Sequence, residues 1–508
     1  MFGSDLSVGS VASAAEKRRE AVNVLGDGAA YIGGKWIRST SMGRMTVVDP
    51  STGQPQAEFS LAGPQEVDAA VAVAKAASAA WREVPADERR RILLRIAAGL
   101  RGDATQLTDI AALETGQPRF FGGGAAKAAD YFEYYAGWVD KLAGEFLPVY
   151  PGRAIDYTVL EPCGVAAAIV SWNGPVTGIG RKVAPALAAG NTVVLKPAEI
   201  APFAALRFAR ICEDAGLPNG VLSVVPGSAQ AGAALTSHPD VDVISFTGSP
   251  ATARTIINAA SAHLTRVSCE LGGKSANIIF DDADLEDSVA YSAFWGAVQN
   301  SGQGCSLPTR LLVQESVYDE VVERVVEAVR ATVIGDPLVD GTQMGPVISG
   351  QARDRILATI REATDCGAGR LVCGGGEVDR SRLAADFHSG FFLEPTVFAD
   401  VDNRSDLAQR EIFGPVLAVA RFRDEAHAIQ LANDSRYGLA AYINSSDINR
   451  CHRLATGIAA GYVSINGPCP MPPSAPFGGL KDSGTGREGG AAGIHEFLRP
   501  KNVYIALK

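Results

Sequence analysis

Basic charge is scarce in this chain of 508 residues: Lys and Arg total 46 against 56 Asp and Glu, a net charge of −10. A broadly basic nucleic-acid face is therefore excluded. An anionic ligand is not, because a few backbone amides or one Lys suffice to bind phosphate. Cysteine is thin and scattered, 8 residues with no C-x-x-C pair. That spacing encodes neither a zinc site nor a compact disulfide framework, so no metal is expected, and reduced thiols in a cytoplasmic setting are. No apolar run approaches the ~18 residues that span a bilayer, so no membrane partner is expected. The opening MFGSDLSVGSVASAAEKRREAVNVL has no apolar core after its charges and does not read as a secretory signal. Residues 1–28 are expected to form a flexible extension. Glycine is the residue in excess: 55 positions, about 11% where about 7% is usual. Without low complexity, that excess points to tight turns and close backbone approaches to a ligand.

From about Ala30 the texture is globular. Tyr31-Ile32-Gly33-Gly34-Lys35-Trp36 predicts a short hairpin, and Val47-Val48-Asp49-Pro50 a strand ending in a turn. Two helices are expected next. Residues 67–80 keep apolar side chains at i, i+3 and i+4, and residues 88–100 repeat the pattern with Leu93, Leu94, Ile96 and Ala97 on the buried side. Residues 145–160 predict a two-stranded hairpin about a Pro151-Gly152 turn. An isolated hairpin is marginal, so it is expected either against another subunit or as a surface ribbon. Residues 164–272 alternate short apolar runs (164–171, 191–196, 221–225, 241–246, 266–269) with amphipathic helices. This predicts an α/β fold with a parallel, doubly wound sheet and a ligand crevice at the carboxyl ends of its strands. Residues 273 to about 460 repeat the texture, and 503–507 predict an edge strand.

Four local signals stand at expected strand ends: Ser171-Trp172-Asn173-Gly174-Pro175, Lys196-Pro197-Ala198-Glu199, Phe246-Thr247-Gly248-Ser249 and Glu270-Leu271-Gly272-Gly273-Lys274. Each has a plain structural reading. Asn173 would serve as a helix cap, and Glu199 as a first-turn carboxylate matched to a helix dipole. Small residues before a helix favour phosphate, yet no G-x-G-x-x-G stands at 246–249. A fifth signal, Asn300-Ser301-Gly302-Gln303-Gly304-Cys305, puts a Cys in a glycine-bracketed turn.

Together WNGP, LKPAE, FTGS, ELGGK, GQGC, EIFGP (411–415) and PFGGLKDSGTGRE (476–488) resemble the aldehyde dehydrogenase superfamily, in order, over about residues 30–508. The resemblance implies a Rossmann-type parallel-sheet cofactor domain, an α/β catalytic domain and a small β oligomerisation element. These map to 29–143 with 161–272, to 273–460 (461–485 returning to the cofactor side), and to 144–160 with 486–508. It implies NAD-dependent oxidation of an aldehyde to the acid, with Cys305 as nucleophile, Asn173 as oxyanion donor and Glu270 as the base that activates water. Relatives that acylate coenzyme A generally lack this Glu. Lys182 and Glu488 match a proposed proton relay, with a structural ion pair as the alternative reading.

Lys196 and Glu199 match the pair on the adenosine ribose, and a 2′-phosphate there would meet like charge, which favours NAD over NADP. Ser171, Trp172, Gly232, Phe246, Gly248, Ser249 and Leu271 fall in the implied dinucleotide cleft, Glu411 on the nicotinamide ribose and Phe413 near its ring. Substrate choice is expected at Gly174, Arg181, Met471 and Phe477. Gly174 stands where Phe is common, and a cation near position 181 occurs in relatives that oxidise semialdehydes. A wide, less aromatic pocket with one cation is therefore expected, suited to a bulky or polar aldehyde or one bearing a carboxylate; the alternative is that Arg181 pairs within the protein. Cys469, in a Pro-rich loop, is left unassigned. A homodimer or homotetramer is implied, with a small-molecule aldehyde as the other partner.

Overall fold

The computed structural model describes Arg18, residues 22–467 and residues 471–507, so most of the expected extension and Cys469 lie outside the described residues. A seven-stranded sheet carries the first half of the chain. Its order is Arg266–Glu270, Val243–Thr247, Val165–Ile169, Thr192–Lys196, Leu222–Val224, Ala30–Ile32 and Lys35–Ile37. The first five strands are mutually parallel, and the early hairpin adds antiparallel at the edge through Tyr31 and Val224. Strands such as Val165–Ile169 are buried at every position, because both faces are covered. Ala166 and Ala168 pack into one core with helices Pro175–Ala188 and Phe203–Asp214. Val165, Ala167 and Ile169 point into the other, against Pro64–Glu83 and Pro250–Ala260.

The chain lays Val165–Ile169, steps outward through Thr192–Lys196 and Leu222–Val224, then returns to place Val243–Thr247 on the opposite side of its first strand. Helices leave the two central strands on opposite faces, so a crevice opens at their carboxyl ends. Ser171–Asn173 and Thr247–Ser249 sit at that point.

A second seven-stranded sheet follows: Arg370–Cys373, Thr396–Ala399, Val416–Phe422, Arg310–Gln314, Ala276–Ile279, Ala440–Asn444 and Tyr462–Ile465. All but the first are parallel. Tyr462–Ile465 pairs with Ala440–Asn444, so the second sheet runs past the expected boundary near residue 460. Period-2 alternation again splits each strand between two cores: Leu311 and Val313 face one, Leu312 the other.

The expected hairpin at 145–160 is lopsided, with a first arm of only Phe146–Leu147 against Ala154–Pro162. The terminal strand is longer than expected, Leu498–Ala506, and runs antiparallel to Ala154–Pro162 over nine residue pairs. The paired strands leave Ile155, Val159 and Ile505 exposed on one face and Tyr504 on the other. Residues 486–497, expected with this ribbon, instead return to the first sheet's helices. Helix Gly490–His495 packs on Pro175–Ala188, and Tyr135 Oη donates to the Gly490 carbonyl at 3.1 Å. Among the described residues no helix is long and apolar enough to cross a membrane.

Candidate active site

A cavity of about 860 Å³ occupies the crevice. Every expected cofactor residue lines it: Ser171, Trp172, Lys196, Glu199, Gly232, Phe246, Gly248, Ser249, Leu271, Glu411 and Phe413. Asn173 and Cys305 line it too. The cleft thus joins residues from both halves of the chain.

Three consecutive left-handed residues deliver Cys305. Asn300, Ser301 and Gly302 have φ of 47°, 53° and 71°. Such strain in non-Gly residues persists only when neighbours over-determine it. Here they do. Ser301 Oγ donates to the Gly345 carbonyl at 2.8 Å, and Asn300 Nδ2 donates to the carbonyls of Asn173 and Gln303 at 3.2 and 3.0 Å. Gln303 Oε1 accepts from the Ile348 N–H at 2.9 Å. A Cβ on Gly302 would fall 2.0 Å from the Gly414 carbonyl oxygen, so only glycine closes the turn. Burial pushes the Cys305 thiol up to about 12; Glu411 adds to the rise, and Arg181 opposes it.

Asn173 is not a helix cap. Gly174 occupies the N-cap of Pro175–Ala188, and no side chain caps that helix. Asn173 Oδ1 accepts from Ser171 Oγ at 2.7 Å, which fixes the amide orientation. Its Nδ2 donates to the Gln303 carbonyl at 3.0 Å and keeps a second N–H for the cavity.

Glu270 ends strand Arg266–Glu270, is only 4% exposed, and neither carboxyl oxygen has a partner among the described residues. Burial, then the charge of Glu488, raises its pKa well above the ordinary carboxyl value, against the pull of Lys182 and Arg181. A buried, unpartnered carboxyl is costly to maintain, and groups so perturbed concentrate at functional sites. Lys182 stands beside it, bonded through Nζ to Glu488 Oε1 at 2.7 Å and to Ser245 Oγ at 3.0 Å.

At the far end of the cleft Lys196 lies 3.9 Å from the half-exposed Glu199. Burial lowers the Lys196 pKa, and Glu199 offsets part of that. Ser249 caps Pro250–Ala260, its Oγ accepting from the Thr252 N–H at 3.1 Å, and Pro250 follows at the first helical position. At the other end Glu411 Oε1 accepts from the Gly273 N–H at 3.0 Å, and burial pushes its carboxyl up to about 7. A Cβ on Gly272 would meet Glu411 Oε2 at 2.1 Å, so a side chain there would displace the Glu411 carboxyl. The Trp172 and Phe413 rings meet edge to face at 5.4 Å. Carboxylates therefore mark both ends of the cleft, with a helix N-terminus between them.

The expected substrate residues do not line this cavity. Arg181, Met471 and Phe477 do come together: the guanidinium lies over the Phe477 ring at 4.9 Å, and its Nη2 is 3.2 Å from Met471 Sδ. Arg181 also faces Glu488 at 3.6 Å, so the intraprotein pairing weighed from the sequence is present. Its Nε is buried with no acceptor among the described residues. A Cβ added at Gly174 would meet nothing within 4 Å.

Aromatic side chains gather in a cavity that Cys305 does not line. Tyr291, Phe294 and Trp295, just upstream of Cys305, line a second cavity of about 600 Å³. Tyr291 stacks on Trp295 at 5.9 Å, and Phe294 stacks on Phe121 at 6.0 Å. Tyr442 links this wall to the nucleophile's turn, its Oη donating to the Ser306 carbonyl at 2.8 Å. The signal was available: Tyr291 and Trp295 stand one helical turn apart.

The model of the Aldehyde dehydrogenase family matches residues 36–503. A betaine aldehyde dehydrogenase of Brucella ovis is 40% identical over 479 residues, 94% of this chain and 97% of the relative. The crystal structure of Staphylococcus aureus betaine aldehyde dehydrogenase in complex with NAD+ superposes with a TM-score of 0.93 at 34% identity, covering 96% of this chain and 97% of that one. PnpE from Pseudomonas sp. WBC-3 superposes with a TM-score of 0.91 at 37% identity, covering 95% and 98%. A further structure holds PnpE in complex with nicotinamide adenine dinucleotide.

Proposed function

This chain belongs to the aldehyde dehydrogenase family, and on that premise we propose that it oxidises an aldehyde to the free carboxylic acid with NAD, using Cys305 as the nucleophile. The meeting of Cys305, Asn173 and Glu411 on one dinucleotide-shaped cleft carries the reading. The donor set fits the cofactor: Glu199 and Glu411 accept from ribose hydroxyls at the two ends, and the helix N-terminus at Ser249 suits a pyrophosphate between them. Half-exposed and anionic, Glu199 disfavours the extra phosphate of NADP. Bound NAD supplies the hydride acceptor.

Cys305 loses its thiol proton to water in the cleft, Sγ bonds to the carbonyl carbon as one C–O bond pair moves onto oxygen, and departure of the aldehyde hydride to the bound acceptor would leave the thioester. The oxygen that becomes negative is held by the free N–H of Asn173 Nδ2 and by the Cys305 backbone N–H, donors worth roughly 3–4 kcal/mol each in comparable sites. Glu270 then takes a proton from the water that cleaves the thioester and releases the acid. Lys182 and Glu488 are the buried pair through which that proton moves on. Arg181 is the cation whose field holds the Cys305 thiol lower than burial alone would.

The curated relatives at 40% identity are named for betaine aldehyde, a quaternary ammonium compound. Arg181 acts on Cys305 through space, and a second cation beside it would be repelled. A neutral or anionic aldehyde is the better fit. A carboxylate-bearing substrate is the second reading, favoured by the unpartnered Arg181 Nε. The exposed apolar side chains on the terminal ribbon support a homodimer or homotetramer, in a cytoplasmic setting.

The test is NADH formation across a panel of aldehydes by wild type and Cys305→Ala, with product analysis in the presence and absence of coenzyme A. The variant is expected to bind NAD and form no NADH, and wild type to yield free acid even with coenzyme A present. Normal turnover by the variant refutes the mechanism, and an acyl-coenzyme A product refutes the role of Glu270.

A further inference from the structure

The charged side chains lining the dinucleotide cleft are Lys196, Glu199, Glu411 and Arg355. The first three fall to the two riboses of the cofactor. Arg355 stands in none of the sequence motifs, on helix Gly350–Asp365. Ser349 caps that helix, its Oγ accepting from the Ala352 N–H at 3.2 Å. Ile356 and Ile360, four residues apart, bury one face in a core that holds Ile412 and against which Trp172 packs. Ile356 also closes on the EIFGP turn, where a Cβ on Gly414 would fall 2.5 Å from Ile356 Cδ1.

Arg355 precedes Ile356, so it lies at the edge of the buried face and is exposed at the rim of the cleft. Its Nη1 donates to the Ile412 carbonyl at 2.6 Å. A guanidinium has five N–H donors, and this bond uses one of them. The carbonyl is neutral, so the bond fixes the side chain without cancelling its charge. The residue before Ile412 is Glu411. Burial raises the Glu411 carboxyl; the Gly273 N–H opposes that rise most, then the charges of Lys274 and Arg355. Each end of the cleft thus holds one cation and one carboxylate, Lys196 with Glu199 and Arg355 with Glu411. A dinucleotide lays its anionic pyrophosphate between those ends. The helix N-terminus at Ser249 offers it a dipole from the first half of the chain, and Arg355 a full charge from the second.

We propose that Arg355 is a cofactor-binding residue for the nicotinamide half of the dinucleotide, offering its guanidinium to the phosphate beside the ribose assigned to Glu411. This rests on the reading of the cleft as an NAD site. The Ile412 carbonyl and the packed helix hold the guanidinium in place before the ligand arrives, so little ordering is left to binding. A charge presented this way favours phosphate over a neutral group of the same shape.

The experiment needs no turnover. Calorimetric titrations with NAD and with AMP, without aldehyde, compare wild type with Arg355→Gln and Arg355→Lys. NAD should bind Arg355→Gln roughly tenfold more weakly, the low end for a charged hydrogen bond because the side chain is exposed. AMP lacks the nicotinamide half and should bind all three proteins alike, which also reports that the variants are folded. Arg355→Lys keeps the charge and should bind NAD more tightly than Arg355→Gln. The gap between wild type and Arg355→Gln should narrow as ionic strength rises from about 0.01 to 1 M, where the screening length falls from about 30 to 3 Å. Unchanged NAD binding in Arg355→Gln, or an equal loss for AMP, overturns the proposal. So does a loss that salt leaves alone and Arg355→Lys fails to recover, which would make Arg355 only a strut for the EIFGP turn. Wild type that binds AMP but not NAD, or neither, overturns the NAD reading itself and this proposal with it.

Discussion

The cofactor cleft and the approach to Cys305 on the substrate side are built on different principles. The cleft hangs on strand ends. Lys196 and Glu270 are the last residues of their parallel strands, Phe246 is the last but one of its own, and Trp172 follows the end of Val165–Ile169 by three residues, so backbone geometry fixes their direction. The substrate side is assembled from side chains far apart in the chain: Arg181 meets Met471 across 290 positions and Glu488 across a similar span. Chemistry held by backbone is rigid and local, whereas selectivity held by side-chain contacts is adjustable. Changes in the first region should therefore remove activity, and changes in the second should redirect it.

The largest effect after loss of the nucleophile is expected at Glu270. Glu270→Gln should cut steady-state turnover by about 10²–10⁴ while a burst of NADH survives, because only hydrolysis needs the base. The sign with pH follows from its raised pKa. Wild-type hydrolysis needs the carboxylate, so it climbs with pH as Glu270 ionises, and the variant should lose that limb. Stability runs the other way. A carboxyl with a raised folded pKa binds its proton more tightly in the native state, so native stability falls as pH rises from the ordinary carboxyl value through the folded one. Glu270→Gln escapes that loss, and its Tm advantage over wild type should grow with pH. A variant with an unchanged steady state, or one whose Tm advantage shrinks with pH, contradicts the buried-base reading.

Asn173→Ala comes next, with an expected loss of about 10²–10³ in kcat for one oxyanion donor. NAD affinity should be nearly unchanged if, as proposed, Glu411 holds the nicotinamide end. A large rise in NAD KM with kcat preserved would make Asn173 a cofactor residue instead. At the adenosine end Glu199→Ala should weaken NAD by roughly tenfold or more, the worth of hydrogen bonds to a charged group. It should also narrow the gap to NADP, as initial rates with each dinucleotide would show.

The sequence made the first region legible for a physical reason. A buried parallel strand is a short apolar run, and the turn after it is marked by Gly, Pro or Asn, so positions 171–173, 196–199 and 246–249 announce themselves locally. Residue types at Cys305, Glu411 and Gly272 were legible through the order of the motifs. The second region was only half legible. That Arg181 is a cation was plain, but not that Glu488 and the Phe477 ring share it. The aromatic wall at Tyr291, Phe294 and Trp295 was missed because its rings look like ordinary core at helical spacing. Strands Ala276–Ile279 and Tyr462–Ile465 passed unnoticed, one four-residue run hidden by ELGGK and the other by the assumption that the domain had already closed.

Arg181 sharpens the comparison with the smallest effect. Its guanidinium is buried among Glu488, Phe477 and Met471, yet its field reaches both Cys305 and Glu270. Arg181→Gln keeps a hydrogen-bonding side chain and removes the charge. Against betaine aldehyde and its neutral isostere 3,3-dimethylbutanal, wild type should prefer the neutral aldehyde, and the variant should lose about tenfold of that preference, the equivalent of one pKa unit. Succinate semialdehyde separates the two readings of the residue. If Arg181 only sets the field, kcat/KM for the semialdehyde falls in step with the neutral aldehyde as the Cys305 thiol loses its nearby cation. If Nε receives the substrate carboxylate, the semialdehyde falls further, by the roughly 1.5–3 kcal/mol of a charged hydrogen bond. An unchanged preference among all three aldehydes would show that Arg181 is purely structural, and selectivity would then rest on the aromatic wall upstream of the nucleophile.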